Sequence, residues 1–383
     1  MNPSSVRATT STAPRSEDEA ASHHQLHSLQ ALRGIAALMV VLYHSGTIFA
    51  AHTGQLLWHN AFRAGFAGVD VFFVLSGLVI FWVHGHDIGR PQRAGRFVLK
   101  RAFRLLPVYW VVLLLKVLKD PAAIGALPLL AAALLVPWPA PFINVSWTLS
   151  YELLFYALFL LWIVLPRGPW SWLPAAALVM LPLLPVPSDP TSGVLAAVLR
   201  FAMNSHLLEF AFGVAVGALL RRFGPPPAVA CMALLAVGVA AFAAAATAGT
   251  LHAMALWDGG GVSAYEAAEL RSNAVLDQAM VCFGLTSALV IAGVVGLELR
   301  GRLKLPLRRP LAWAGDVSYS LYLTHGFVIH LLLNQAALRA LATRWPGLLL
   351  LAWLAALAVA FVFYRLVERP AMKLGAQLAA RRA

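Results

Sequence analysis

The chain has 383 residues, of which 60% are hydrophobic and only 12% charged, with a mean hydropathy of +0.76. Soluble domains run at about 45–50% apolar and about 25% charged, so this chain has too little polar surface to cover a water-soluble globule and reads as an integral membrane protein. The formal net charge of +13 does not point to nucleic acid, because the basic residues sit in short gaps between apolar runs.

The first 28 residues are polar, carry the acidic step Glu17-Asp18-Glu19, and read as a disordered cytoplasmic tail. They lack the short basic start of a cleavable signal peptide, so the first apolar run is expected to be a retained span. A crossing needs ~20 mostly apolar residues. Candidate runs begin near Leu29, Phe66, Phe103, Ala122, Ser146, Trp172, Val194, Ala228, Ala274, Leu311 and Gly347.

Charge tests that reading. One basic cluster holds Arg90, Arg93, Arg96, Lys100, Arg101 and Arg104; a second holds Arg300, Arg302, Lys304, Arg308 and Arg309. A third holds Arg365, Arg369, Lys373, Arg381 and Arg382. Cytoplasmic loops carry such excesses of Lys and Arg. With the N-terminus inside and every run crossing, Arg221-Arg222 and the last two clusters fall outside. The run from Ala122 to Pro137 is short and broken or ended by Pro128, Pro137, Pro139 and Pro141. If it dips in without crossing, all the basic clusters return to the cytoplasm. The expected fold is all-α integral membrane, a bundle of about ten transmembrane helices plus one short re-entrant or interfacial segment. Its expected divisions are a tail at 1–28, a membrane domain at 29–370 and a basic cytoplasmic tail at 371–383, with both termini cytoplasmic. The longest polar connection, Gly249 to Asn273, falls outside, as a flexible loop or as part of a site for an external substrate. Cys231 and Cys282 both lie in apolar runs and offer neither metal-ligand spacing nor a disulfide framework; no metal is expected.

Ionisable residues inside a membrane are costly and mark functional positions by default. Here they are Arg33, His44, Asp70, Glu152, Arg200, His206, Glu209, Asp277, Asp316, His325 and His330. Arg33 and His44 are separated by ~16 Å and three helical turns, near one helix face, with Arg33 toward the cytoplasmic end. A neutral imidazole is the natural base for removing a proton from a hydroxyl near neutral pH. A carboxylate on its other nitrogen would fix its tautomer, and Asp70 and Glu152 are the two acids toward the outer half. Arg101 and Arg104, one turn apart, serve as topology anchors or, with Arg33 at the same level, as a grip on a multiply charged phosphate ligand. Ser146, Ser318, Tyr319 and Tyr322 can donate hydrogen bonds to a developing oxyanion or hold helices together, and His325 stays open between the same two roles.

Several segments in order resemble the membrane-bound acyltransferase-3 family, the bacterial integral-membrane O-acyltransferases. Arg33 through His44 is similar to that family's arginine–ten residues–histidine signature. Gly68-Val69-Asp70-Val71-Phe72-Phe73-Val74-Leu75-Ser76-Gly77 is similar to its second-span segment, and Arg101-Ala102-Phe103-Arg104 to its Arg-x-x-Arg stretch. Trp147-Thr148-Leu149-Ser150-Tyr151-Glu152, Gly315-Asp316-Val317-Ser318-Tyr319-Ser320-Leu321-Tyr322-Leu323-Thr324-His325 and Val367-Glu368-Arg369-Pro370 complete the series. The likeness runs from residue 32 to residue 370. It implies ten spans in a bacterial inner (plasma) membrane. It also implies transfer of an acyl group, most often acetyl, from acetyl-CoA or another acyl-CoA to a sugar hydroxyl. His44 then corresponds to the family's essential histidine, and Arg33, Arg101 and Arg104 to its arginines.

The expected course has acyl-CoA bound from the cytoplasm through Arg33, Arg101 and Arg104. A carbohydrate or lipid-linked glycan arrives from the outer side, and His44 acts as base with Asp70 or Glu152 orienting it. Direct transfer is favoured over a covalent acyl-histidine relay. A small secondary metabolite such as a macrolide is the alternative acceptor. From another class, a proton-coupled transporter or flippase would use His44, Asp70 and Glu152 as a relay, but such proteins often show inverted repeats and paired broken helices, and neither is visible here. Some family members carry an added extracytoplasmic hydrolase-like domain; the chain ends thirteen residues after Pro370, and no such domain is expected.

Overall fold

An apolar run in lipid has no water to satisfy its N–H and C=O groups, so it must bond to itself as a helix. The computed structural model describes residues 26–60, 62–120, 125–137, 142–168, 170–184, 198–199, 201–248, 278–303 and 308–381, and every regular element among them is helical. In chain order the main helices are α1 (His27–Thr53), α2 (Gly68–His84), α3 (Ala94–Lys119), α4 (Ala126–Ala133), α5 (Trp147–Val164), α6 (Leu173–Met180) and α7 (His206–Phe223). Then come α8 (Ala228–Ala248), α9 (Gln278–Leu299), α10 (Arg308–Leu333), α11 (Ala336–Arg344), α12 (Leu349–Phe363) and α13 (Arg369–Ala380). Residues 1–25 of the expected tail, the Gly249–Asn273 connection, Arg200 and Asp277 lie outside the described residues, as does the start of the run expected at Val194.

Six stretches among the described residues are long and apolar enough to cross a membrane, or seven if α10 and α11, bent by 95° at their junction, form one broken span. Among the described residues the chain is all-helical, as an integral membrane protein of this composition requires. Helix α3 is long enough, but carries Arg96, Lys100, Arg101, Arg104, Lys116 and Lys119. The segment expected to dip without crossing contains α4, whose eight residues span only ~12 Å of a ~30 Å hydrocarbon core. Helix α6 is short as well and tightens to a 3₁₀ turn over Leu181–Leu183, at Pro182.

Contacts along the helices fix their relative senses. Gln30 lies against Gly315, His44 against His325 and His52 against His330, so α1 and α10 run parallel. Helix α3 runs the same way, with Leu105 bonded to Tyr319 and Lys119 over the ring of Phe327. Helix α5 is opposed to α10: its first turn meets Tyr322 through Thr148, and near its other end the Trp162 carbonyl accepts from the Gly89 N–H. Helices α2 and α7 run parallel, with Asp70 beside Glu209 and Gly85 beside Arg221.

Close backbone approach is what allows these contacts. Lipid tails are as apolar as Leu, so membrane helices associate through small residues and polar links. A Cβ on Gly315 would lie 2.1 Å from the Gln30 carbonyl oxygen, and one on Gly213 2.0 Å from that of Val74. Aromatic rings fill the centre: Phe155 stacks on Phe210 at 4.4 Å between centroids, and Phe97 on Phe159 at 5.6 Å. The N-terminus of α1 has no cap from its own sequence. Glu298 at the end of α9 supplies one, accepting from the His27 N–H at 2.8 Å and the Ser28 N–H at 3.0 Å, a carboxylate where exposed N–H groups and the helix dipole favour one.

Candidate active site

Helix α1 carries Arg33 near its first turns and His44 three turns on. Arg33 lines a cavity of ≈ 110 Å³ together with Arg101 and Arg104 of α3, Glu152 and Tyr156 of α5, Ser76 of α2, and Tyr319 and Tyr322 of α10. Four of the six sequence-predicted site residues therefore meet in one place: the three arginines and Glu152. His44 and Asp70 are not in its lining. Drug-sized ligands occupy pockets of about 300–1,000 Å³, so this cavity takes a small group or one end of a long ligand.

The cationic wall is only partly neutralised. Arg104 Nη1 forms an ion pair with Glu368, whose other oxygen accepts from Ser320 Oγ at 2.6 Å. Glu368 is completely buried and ends the π-helical turn Tyr364–Glu368 between α12 and α13, a kind of irregularity that recurs at functional sites. Arg101 lies over the Tyr156 ring, 5.9 Å from its centroid, and its Nε is a buried donor without a hydrogen-bond partner. Glu152 accepts from Tyr156 Oη and, at 3.3 Å, from Ser76 Oγ. It belongs to the arginine site and makes no bond to His44.

The partner of His44 is another histidine. His44 Nδ1 lies 3.1 Å from His325 Nε2 and 3.1 Å from the Val40 carbonyl one turn back, with the two rings tilted at 5.0 Å between centroids. His325 Nδ1 in turn lies 3.0 Å from the Leu321 carbonyl. Tyr322 links this pair to the cavity: its ring is 6.2 Å from that of His325, and it lines the cavity. The hydroxyls weighed as oxyanion donors are engaged between helices or within one. Tyr319 Oη donates to the Leu105 carbonyl at 2.6 Å, Ser318 Oγ to Gly315 at 2.7 Å, and Tyr322 Oη shares a 2.9 Å bond with Thr148.

Asp70 lies in a separate buried group with His206 and Glu209, each offering a ligand atom, all within 4.8 Å of one another. His206 Nδ1 is 3.4 Å from both Glu209 oxygens, and Asp70 Oδ1 is buried without a hydrogen-bond partner. Among the described residues this is the one group of His, Cys, Asp and Glu side chains whose spacing could hold a metal ion.

The pairing of Glu368 with Arg104 is not legible in the Val367–Pro370 segment, because an acid at the end of an apolar run looks like an ordinary interfacial charge. Nor could sequence reasoning pair His44 with His325, because 281 residues separate them and no local pattern encodes that meeting.

Comparison with known proteins gives the same direction as the motifs. The model of a family described as an acyltransferase domain matches residues 26–365. The exopolysaccharide production protein ExoZ of Rhizobium meliloti is 30% identical over 341 residues, covering 85% of this chain and 94% of its own length. The acyltransferase MdmB of Streptomyces mycarofaciens is 28% identical over 392 residues, covering 91% of this chain and 92% of its own length. No solved structure matches. The chain belongs to this membrane acyltransferase family, and it is an enzyme that transfers acyl groups other than aminoacyl groups.

Proposed function

We propose that this protein moves an acyl group, acetyl in the first instance, from acyl-CoA on the cytoplasmic side to a hydroxyl of a cell-surface or exported glycan on the outer side. The observation that carries the reading is the arginine-walled cavity at the Arg33 end of α1, with His44 ~16 Å further along the same helix. The arginines hold the donor's phosphates, and the long pantetheine arm runs toward His44. His44 takes the acceptor's hydroxyl proton as the oxygen attacks the thioester carbonyl. The C–S bond then breaks, and the leaving thiolate takes the proton back from the imidazolium. The products are ester and free coenzyme A, and the histidine is restored. The glycan acceptor is supported by the name of the ExoZ relative. Asp70 stands apart from this pathway, and Glu152 serves the donor site.

The helix senses support ten crossings, an even number that leaves both termini on one side, and the basic clusters favour the cytoplasm of a bacterial inner membrane for that side. Helices α1, α3 and α10 run one way while α2, α5 and α7 run the other, α2 lying parallel to α5 with Phe73 beside Tyr151 and Phe81 beside Trp162. Helix α3 and helix α5 can alternate in this manner only if the segment between them does not cross. Between α5 and α7, which share a sense, one crossing must intervene.

Inverted membrane vesicles that carry their native acceptors, supplied with radiolabelled acetyl-CoA, test the core claim. Label passes into glycan with the native protein and not with His44→Ala expressed and folded to the same level. Undiminished turnover by His44→Ala refutes the base assignment. Label transfer that needs an imposed proton gradient favours the transporter reading instead.

A further inference from the structure

The bonds around His44 dictate which of its nitrogens can act as the base. A backbone carbonyl only accepts hydrogen bonds. The Leu321 carbonyl, 3.0 Å from His325 Nδ1, therefore requires a proton on that nitrogen. In neutral His325 the proton on Nδ1 leaves Nε2 with a lone pair, and that lone pair faces His44 Nδ1 at 3.1 Å. His44 Nδ1 also faces the Val40 carbonyl at 3.1 Å. Two acceptors converge on one nitrogen, so His44 carries its proton on Nδ1 and shares it between them in a three-centre bond. Its Nε2 is left with the basic lone pair.

We infer that His325 is the positioning residue for His44, holding the Nδ1–H tautomer and ring orientation in which Nε2 receives the acceptor's proton. This rests on the reading of His44 as the general base. It assigns to a buried neutral imidazole the task that a carboxylate performs in hydrolase triads.

The arrangement also sets a limit on proton movement. His325 Nδ1–H ends on a backbone carbonyl, which cannot pass a proton on, so the pair is no relay. The proton accepted by His44 Nε2 stays on that ring until the leaving thiolate takes it. Neither Asp70 nor Glu152 is needed: Asp70 is engaged with His206 and Glu209, and Glu152 with Tyr156 and Ser76. The register that brings the two rings together follows from the close α1–α10 contact at Gln30 and Gly315.

Two substitutions of similar size and polarity separate positioning from packing. The amide of His325→Asn falls near the place of Nδ1, so it keeps a donor for Leu321 but leaves nothing facing His44. The amide of His325→Gln reaches the place of Nε2 and offers His44 an oxygen. In inverted vesicles with acetyl-CoA, His325→Asn should lower kcat about 10–100-fold, the scale on which partners that orient a histidine act. The KM for acetyl-CoA should stay within about 2-fold, since a positioning partner acts on the reacting state rather than on donor binding. His325→Gln should recover most of the rate. Native kcat in His325→Asn overturns the proposal, as do equal losses in both variants at unchanged melting temperature. Should neither variant fold, the unmutated protein labelled with ¹⁵N-histidine decides, with the His44 signals assigned by their loss in His44→Ala. The proposal requires the proton on Nδ1 of His44, and a proton on Nε2 overturns it. The two ideas fail separately: active His44→Ala removes the base itself, whereas inactive His44→Ala with fully active His325→Asn removes only the partner.

Discussion

The ion pair between Arg104 and Glu368 allows the donor-binding role proposed for Arg104 to be separated from its structural one. Removing one member of a buried pair leaves an uncompensated charge and costs about 3–5 kcal/mol. The two sides are not equivalent here, because the Arg104 side chain is 20% exposed and Glu368 not at all. Glu368→Gln strands a cation that can still reach water, so its cost lies near about 3 kcal/mol. Arg104→Gln strands a fully buried carboxylate also bonded to Ser320, and its cost lies near about 5 kcal/mol. Against a total stability of about 5–15 kcal/mol, both losses register as a lower melting temperature in detergent, read by tryptophan fluorescence. The double variant removes both charges and should be more stable than Arg104→Gln alone, which requires a coupling larger than the cost of Glu368→Gln, at or above the upper end of the about 0.5–3 kcal/mol seen for contacting residues. Its KM for acetyl-CoA then reports the second role. If Arg104 also grips the donor, the double variant recovers stability without recovering donor affinity. Additive losses in the two single variants refute the buried pair, and a native KM in the stable double variant refutes the donor role.

Three further outcomes follow from the same geometry. Gly315→Ala places a methyl group 2.1 Å from the Gln30 carbonyl oxygen and should cost about 1–3 kcal/mol of stability together with turnover, while Gly326→Ala, with open space around it, should cost neither; equal melting of the two variants counts against the packing account. Arg101→Lys keeps the charge but not the forked donor set, and should raise the KM for acetyl-CoA with little change in kcat; an unchanged KM leaves Arg101 as a topology anchor. Chelators should leave transfer intact and metal analysis should find no stoichiometric divalent ion; one ion per chain, lost in Asp70→Asn, would establish a metal site at Asp70, His206 and Glu209.

Some of this was legible in the sequence because it is written locally. The membrane class follows from bulk composition, and the proline-broken run before Pro137 declares itself too short to cross. The meeting of Arg33, Arg101 and Arg104 was visible as well, since the positive-inside rule puts them at one membrane level. What no local pattern gives is which helices are neighbours. Both Glu152 and Asp70 are intramembrane acids in the sequence, yet α5 turns Glu152 toward the arginine cavity and α2 turns Asp70 toward α7. The pairing of α1 with α10 depends on small residues at Gly34, Ala314 and Gly315, a signal that does not name its partner helix.

Charge balance within the cavity bears on why three arginines gather there. Arg33, Arg101 and Arg104 bring three formal positive charges, while Glu152 in the lining and Glu368 behind Arg104 bring two negative ones. One positive charge remains among these five groups. A purely structural network has no use for that excess, since buried charges are costly unless paired, and Arg101 moreover holds a buried Nε donor with no acceptor. An anion entering the cavity supplies both the missing charge and the missing acceptor, and a guanidinium gives phosphate paired, charge-assisted bonds. The excess sits at the Arg33 end of α1, which the proposed topology turns toward the cytoplasm, the side on which the proposed donor, acyl-CoA, is made available. In the proposed reading the same helix carries His44 outward toward the acceptor, so that the donor's charged end and its reacting carbon are served from one rigid element.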